Sequence, residues 1–316
     1  GNGVKNPKRA IPPSRIHLSI RGGTRTDITP PHALSKILSY CQRTEILILL
    51  FEKSWGAMVK DPEAQIIESK NWNDYFLISF KSSPIAEKAT PGQFLMVRVT
   101  PEAHPLLRRP FSIHSCRQDS LEIFFKRSGA GTSLLAETKK GETLDIIGPL
   151  GKGFTIPGKG IKTSFLVGGG RGIAPLFFLA RELKENNQQV KVFYGGKSIE
   201  DLCLREKFQK EDLELACSTE DGSYGYKGLV TGLLTLALEA EKPDFLYACG
   251  PDLMMEKIAH LVLTTHIPAE FSLESTMGCG FGACWGCVQS IKKDGKEEFV
   301  KICQEGPVFR GEEIVW

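Results

Sequence analysis

Long apolar runs are missing from this 316-residue chain. The longest, Ile46 to Phe51, falls far short of the roughly 20 residues that a membrane-crossing helix needs. Nothing at the start has the charged, apolar and small-residue order of a secretory signal. Charge of one sign is also missing: 40 Lys and Arg stand against 37 Asp and Glu, a net charge of +3. No dense basic stripe marks a nucleic-acid footprint, so neither nucleic acid nor membrane is an expected partner. Histidine is scarce, six in all, and read as structural or surface. Cysteine is the exception to this plainness, with nine. Five of them, Cys41, Cys116, Cys203, Cys217 and Cys249, are scattered singly. Unpaired thiols at that density suit a reducing compartment, and the expected location is the cytoplasm.

The other four cysteines form a pattern. Cys279, Cys284 and Cys287 lie in Met277-Gly-Cys-Gly-Phe-Gly-Ala-Cys-Trp-Gly-Cys287, and Cys303 follows. C-x4-C-x2-C with a later fourth Cys is the plant-type spacing for one [2Fe–2S] cluster. Gly278, Gly280, Gly282 and Gly286 let a backbone curl closely around inorganic sulfide. Phe281 and Trp285 are expected to shield the cluster from water. A structural zinc site or disulfides are the other readings of four cysteines. Zinc knuckles usually pair two C-x2-C units, and only Cys284 and Cys287 have that spacing here.

Composition and periodicity divide the rest. Residues 1–57 open with a Pro-, Gly-, Arg- and Ser-rich arm, then offer a short helix at His32–Tyr40 and a strand at Ile46–Phe51. They read as an N-terminal extension, poorly ordered or artefactual. Residues 58–158 carry short alternating runs separated by turns: Gln65–Ser69, Tyr75–Phe80, Phe94–Val99, Phe111–His114, Leu121–Lys126 and Thr143–Ile147. Regularly spaced short strands predict an antiparallel β-barrel. Gly129-Ala-Gly131 opens a helical piece over Thr132–Thr138. Such a turn offers N–H groups to a phosphate, and Thr132 and Ser133 add hydroxyls.

Residues 159–268 alternate strand and helix. The strand Thr163–Val167 runs into Gly168-Gly-Gly-Arg-Gly-Ile-Ala-Pro175 and a helix. Strand, glycine-rich turn, helix is the dinucleotide-binding order, within a doubly wound α/β domain. Further strands are predicted at Val190–Tyr194, Leu213–Cys217 and Phe245–Ala248, with helices at Asp201–Lys210, Thr231–Ala240 and Pro251–Leu263. Glu220 and Asp221 follow one strand end, where carboxylates would repel a 2′-phosphate and favour NAD over NADP; Lys197 and Arg205 nearby pull the other way. Residues 269–316 hold a strand, Glu270–Leu273, the cysteine loop, and a hairpin around Asp294-Gly295. They form the expected small cysteine-rich [2Fe–2S] domain.

Several of these motifs resemble the ferredoxin reductase-like flavoproteins. Arg109-Pro110-Phe111-Ser112 is similar to that family's R-x-(apolar)-S strand, whose Arg holds the FAD pyrophosphate and whose Ser sits near the flavin. The resemblance implies FAD contacts from Arg109, Pro110, Phe111, Ser112, Phe124, Phe125, Lys126, Gly131 and Thr132. Gly169-Gly170-x-Gly172-Ile173-Ala174-Pro175 is similar to its G-G-x-G-x-A-P nucleotide turn. Cys249-Gly250-Pro251 is similar to its C-G-P motif, with the Cys against the nicotinamide. From Met58 on, the order flavin barrel, NAD domain, C-terminal [2Fe–2S] loop resembles the electron-transfer subunits of NAD-dependent (class 1B) dihydroorotate dehydrogenases. Cys303-Gln-Glu-Gly-Pro-Val-Phe309 is among the specific parts, while Phe111 departs from a frequent Ile.

That resemblance implies FAD and a [2Fe–2S] cluster as cofactors, NAD as substrate, and a separate FMN-containing catalytic subunit in a heterotetramer of two of each. Electrons from dihydroorotate would reach NAD+ in pyrimidine biosynthesis. A reductase serving an oxygenase, sulfide- or ferredoxin-linked system shares the same layout. A nucleotide- or zinc-binding regulator without turnover is the reading of another class.

Overall fold

The computed structural model describes residues 58–158 and 160–316. The expectations placed on residues 1–57 lie outside the described residues. Six strands close an antiparallel barrel: β1 (Val59–Trp72), β2 (Tyr75–Lys81), β3 (Phe94–Arg98), β4 (Arg109–Arg117), β5 (Ser120–Lys126) and β6 (Thr143–Leu150), in the order β1-β2-β5-β4-β3-β6. Closure depends on the length of β1. Its later residues pair with β2 and its earlier ones with β6, with register shifts between Asp61 and Ala64 and between Ile66 and Glu68. Such bulges bend and twist a strand, so one chain segment serves two neighbours. Ile78, Phe80, Leu95, Val97, Ile113, Ile123 and Ile146 fill the interior.

The second layer is a seven-stranded sheet, order β10-β9-β8-β7-β11-β12-β15. Its strands are β7 (Thr163–Gly169), β8 (Gln189–Gly196), β9 (Glu214–Thr219), β10 (Tyr226–Lys227), β11 (Phe245–Cys249), β12 (Ala269–Ser272) and β15 (Val308–Arg310). All pairings are parallel except β12 with β15. Chain order reverses between β7 and β11, so their carboxyl ends flank the crevice where doubly wound sheets take ligands. The helices Ala174–Glu185, Val230–Ala240 and Asp252–Thr265 pack on it. The helix expected over Asp201–Lys210 is instead a 3-10 turn, Ile199–Leu202, followed by a helix over Arg205–Lys210. The Asp201 carboxylate is committed elsewhere: it accepts from the Lys197 N–H at 2.9 Å and from the Tyr75 hydroxyl at 2.6 Å.

The cysteine-rich segment does not stand apart. Its leading strand, β12, is hydrogen-bonded into the nucleotide sheet, and β15 returns to pair with it. Between them lies the hairpin β13 (Val288–Lys293) and β14 (Lys296–Lys301). Asp294 and Gly295 turn it with φ of 51° and 79°, the left-handed pair that two-residue hairpins favour. No described helix is long and apolar enough to cross a membrane.

Polar ties hold the sheet to the barrel. The Tyr75 hydroxyl donates to Asp201, Lys207 pairs with Glu122 at 2.6 Å, and Arg117 pairs with Glu211 at 2.7 Å. His114 of β4 is fully buried, with Nδ1 2.8 Å from the Ala174 carbonyl oxygen. Burial pushes its imidazole from 6.5 down to about 4, against the opposing pull of Glu122; Lys207 and Arg181 add repulsion. A folded pKa below the unfolded one means the unfolded chain binds the proton first. The stability of the fold with the ring buried and neutral is therefore full above pH 6.5, and it falls as the pH drops from 6.5 toward 4. The expected loss is about 3 kcal/mol at the acid end. Chemical denaturation across this range should show the slope, and His114→Asn should flatten it.

Candidate functional site

The cysteine loop leaves the end of β12 without regular structure until β13. Gly280 and Gly282 take φ of 84° and 86°, conformations open to glycine, and Trp285 follows at 55°. These turns aim N–H groups at sulfur. Gly282 N–H donates to Cys303 Sγ at 3.0 Å, Ala283 N–H to Cys279 Sγ at 3.2 Å, and Cys303 N–H to Cys287 Sγ at 3.4 Å. The N–H groups of Gly286 and Cys279 hold the exposed Cys284 thiol down to about 7, toward the thiolate that a metal requires. Burial, then the neighbouring Cys287 and Cys279, pushes the Cys303 thiol up. A Cβ at Gly278 or Gly286 would come 3.2 or 3.4 Å from Cys284 Sγ, so glycine keeps space around that sulfur.

All four are free thiols in the structure. Among the described residues, no three His, Cys, Asp or Glu side chains close on a single-ion site. Four thiols with backbone N–H groups directed at sulfur suit an iron–sulfur cluster, whose sulfurs accept such bonds. The expected aromatic shield is half realised. Phe281 packs against the core, but Trp285 is 60% exposed, with Lys301 Nζ 4.5 Å over its ring.

The loop is seated on the barrel. A Cβ at Gly280 would lie 2.3 Å from Cγ of Met96, so the bare backbone rests on that side chain. Met96 sits on β3 directly opposite Pro110 of β4. One residue pair thus separates the cysteine loop from the Arg109–Ser112 strand.

Within that strand, Arg109 lies over the glycine turn. Its Nε would be 3.0 Å from a Cβ at the buried Gly131. The Arg and the turn are brought together as expected, and a guanidinium beside helix-opening N–H groups fits a phosphate-bearing group such as FAD. The helix starts slightly early, Ala130–Ala136, and Thr132 Oγ caps it, accepting from Ser128 and Gly129 N–H groups. Ser112 is half-buried on the same strand, and Phe111 turns inward onto Phe125 at 5.3 Å. Phe124 is placed differently from the expectation. It stacks on Tyr75 in the core shared with the nucleotide domain, because alternation along β5 sends Phe124 and Phe125 to opposite faces. Lys126 is engaged with Tyr75 and with Asp201, 3.6 Å away.

The nucleotide motifs also converge. A Cβ at Gly172 would meet the Cys249 carbonyl oxygen at 2.2 Å, and one at Gly169 would meet Pro251 Cδ at 3.0 Å. The glycine turn thus touches the Cys249-Gly250-Pro251 segment backbone to backbone. Gly170, at φ 52°, has open space beyond it. Ile173, Ala174 and Pro175 are buried, while Glu220 and Asp221 are exposed just past β9. Ser223, through its hydroxyl and its N–H, holds the Asp221 carboxyl below its usual value. Burial pushes the Cys249 thiol far up, so it is neutral. Met96 gave no signal in the sequence, since only sheet register sets it beside Pro110. His114 gave one, two residues beyond Ser112 on the same strand.

Gly280→Ala is expected to lower iron and sulfide per chain and to destabilise the fold by ~1–3 kcal/mol. Gly295→Ala, where φ is also positive but space is open, isolates the backbone cost. Metal analysis and denaturation of both variants check this.

Comparison with known proteins agrees with these motifs. Residues 274–315 match the family model described as the iron-sulfur cluster binding domain of dihydroorotate dehydrogenase B, and residues 166–260 match the oxidoreductase NAD-binding domain. The dihydroorotate dehydrogenase B (NAD(+)) electron transfer subunit of Desulforamulus reducens is 39% identical over 246 residues, 77% of this chain and 93% of its own. Among solved structures, the NADH-dependent reduced ferredoxin-NADP oxidoreductase, described in terms of flavin-based electron bifurcation, superposes with a TM-score of 0.72 at 29% identity, covering 81% of this chain and 91% of that one. The Neisseria gonorrhoeae ferredoxin NADP+ reductase with bound FAD and NADP shares the fold, with a TM-score of 0.54 at 18% identity over 66% of this chain and 92% of that one. With that identity and coverage, the chain belongs to the family of electron transfer subunits of NAD+-dependent dihydroorotate dehydrogenase B.

Proposed function

We propose that this chain passes electrons from a partner subunit that oxidises dihydroorotate to NAD+. The observation that carries the reading is the seat of Gly280 on Met96, one strand pairing from the Arg109–Ser112 motif. When bound, a [2Fe–2S] cluster and FAD would join one-electron transfer to the two-electron hydride step that NAD+ requires. Cys279, Cys284, Cys287 and Cys303 would hold the cluster. Arg109, Gly131 and Thr132 would meet the FAD phosphates, with Pro110, Phe111, Ser112, Phe125 and Lys126 along its length. Phe124, being core, supports that wall from behind. Gly169, Gly170, Gly172, Ile173, Ala174 and Pro175 would form the dinucleotide turn, and Gly250 and Pro251 its far wall. Cys249 would border the nicotinamide as a small neutral sulfur.

The partner in this reading is an FMN-containing catalytic subunit, in a heterotetramer of two of each, in the cytoplasm. The exposed cysteine loop is the face offered to it. The chain's own role is to hold and space the cofactors. No described group stands poised as a general base, and hydride transfer needs none.

Two measurements test the reading. In the copurified complex, dihydroorotate should reduce NAD+, and Cys284→Ser should lose both the cluster absorbance and that reduction. Full transfer without the cluster would overturn it, and a complex reduced only by another donor assigns the relay to a different reductase. Glu220→Gln combined with Asp221→Asn should raise kcat/KM for NADP+ relative to NAD+ by roughly tenfold, a change of ~1.4 kcal/mol in transition-state binding.

A further inference from the structure

His114 belongs to none of the motifs, yet it joins two of them. Its ring is fully buried. A carbonyl oxygen only accepts, so the 2.8 Å contact to Ala174 requires the proton on Nδ1, which donates. Nε2 is left as a bare acceptor with no partner among the described residues. An unsatisfied buried polar atom costs ~1–3 kcal/mol, which a phenyl ring at this position would avoid. The ring lies between Phe124 of the barrel, 6.0 Å away, and Phe177 of the nucleotide helix, stacked at 4.8 Å and 18°.

Its position in the chain gives the bond leverage. Ser112 lies two residues before His114, with the fully buried Ile113 between them. Gly172, whose backbone abuts Cys249, lies two residues before Ala174, with the fully buried Ile173 between them. Of the other polar ties, Arg181 of the same helix donates to the Ser115 hydroxyl at 3.2 Å, one residue beyond His114, while Tyr75 to Asp201, Lys207 to Glu122 and Arg117 to Glu211 sit farther along the chain from both motifs.

We propose that His114 is a positioning residue, whose Nδ1–H bond to the Ala174 carbonyl sets the distance between the flavin strand and the dinucleotide turn that abuts Cys249. This rests on the proposed occupancy of those motifs by FAD and NAD. The bond acts on hydride transfer through spacing alone, and His114 touches neither reactant.

The test compares three variants as purified flavoprotein, with NADH as the probe. His114→Phe keeps the ring and loses the donor. His114→Asn returns an N–H donor at the place of Nδ1, whereas His114→Gln carries it one atom too far. Flavin reduction by NADH should slow by roughly tenfold to a hundredfold in Phe and Gln, as displacements on the order of 1 Å do, and recover in Asn. The rate at saturating NADH should fall while the NADH concentration for half-saturation stays within about twofold, as expected when orientation rather than binding is lost. The nicotinamide–flavin charge-transfer absorbance should weaken and return in the same order. Amide exchange over residues 172–178, which needs no flavin, should quicken in Phe and Gln and be protected in Asn. The Asn and Gln pair carries the comparison where Phe does not accumulate. Wild-type rates and full charge-transfer absorbance in Gln and Phe, or equal slowing in Asn and Gln, would overturn the inference. A wild-type flavin that NADH leaves oxidised overturns the functional reading, and this inference with it.

Discussion

The contact between Gly280 and Met96 is the constraint on which the arrangement of the molecule depends. A relay works only when its stations are close, and closeness here is a matter of missing atoms. The cysteine loop can lie on β3 because position 280 has no Cβ and takes a φ of 84°. Met96 is an unbranched, adaptable side chain, suited to filling the gap under an irregular backbone. It faces Pro110 across the ladder, so seating the loop also sets its distance to the strand bearing Arg109 and Ser112. The same device recurs at the other end, where Gly172 lets the nucleotide turn meet the Cys249 carbonyl. Two bare glycines thus permit both close approaches, the cysteine loop on β3 and the nucleotide turn on the end of β11.

Close approach needs rigid supports, and the C-terminal segment supplies one. β12 and β15 extend the nucleotide sheet, while Pro307 bridges to Lys152 beyond β6 of the barrel and accepts from Leu273 N–H at 2.9 Å. The linker between barrel and sheet is pinned as well. Buried Glu270 accepts from the Thr155 N–H at 2.8 Å and its hydroxyl at 2.6 Å, and the Tyr247 hydroxyl donates to the Thr155 carbonyl at 2.8 Å. Charge-assisted bonds of this kind are the stronger ones, and here they satisfy a carboxylate that burial would otherwise penalise. The cysteine loop is therefore carried on a sheet tied to the segment leaving the barrel at two places, Lys152 and Thr155. That explains how a loop without regular structure can hold a position.

The elements themselves were legible because their signals are local. Alternation in Tyr75–Phe80 and Leu121–Lys126 marked paired strands, and Asp294-Gly295 marked a hairpin. The cysteine spacing and the Gly168–Pro175 turn named their chemistry from residue type alone. What stayed hidden is what depends on register and on side chains meeting across the fold. Phe124 and Phe125 are adjacent and equally apolar, and only the barrel's curvature decides which one faces the nucleotide domain. The helix expected from Asp201 onward gave way because Asp201 ties Tyr75 to the sheet, a contact between residues 126 positions apart. Similarly, Trp285 looked like a shield, yet at φ 55° the loop turns it outward.

The neutrality of Cys249 fits the same economy of the site. Burial holds it as a thiol, so it brings no negative charge to the crevice. A thiolate there would attract the cationic nicotinamide of NAD+ and, being nucleophilic, would react with it. A thiol does neither, and it remains smaller than the branched side chains that would push the ring away. On the proposed reading, the protein therefore contributes distance, exclusion of water and an absence of competing charge. Arg109 and the turn N–H groups then meet the phosphates at a distance from the reacting centre. Binding energy and hydride transfer are thereby assigned to different atoms of this chain.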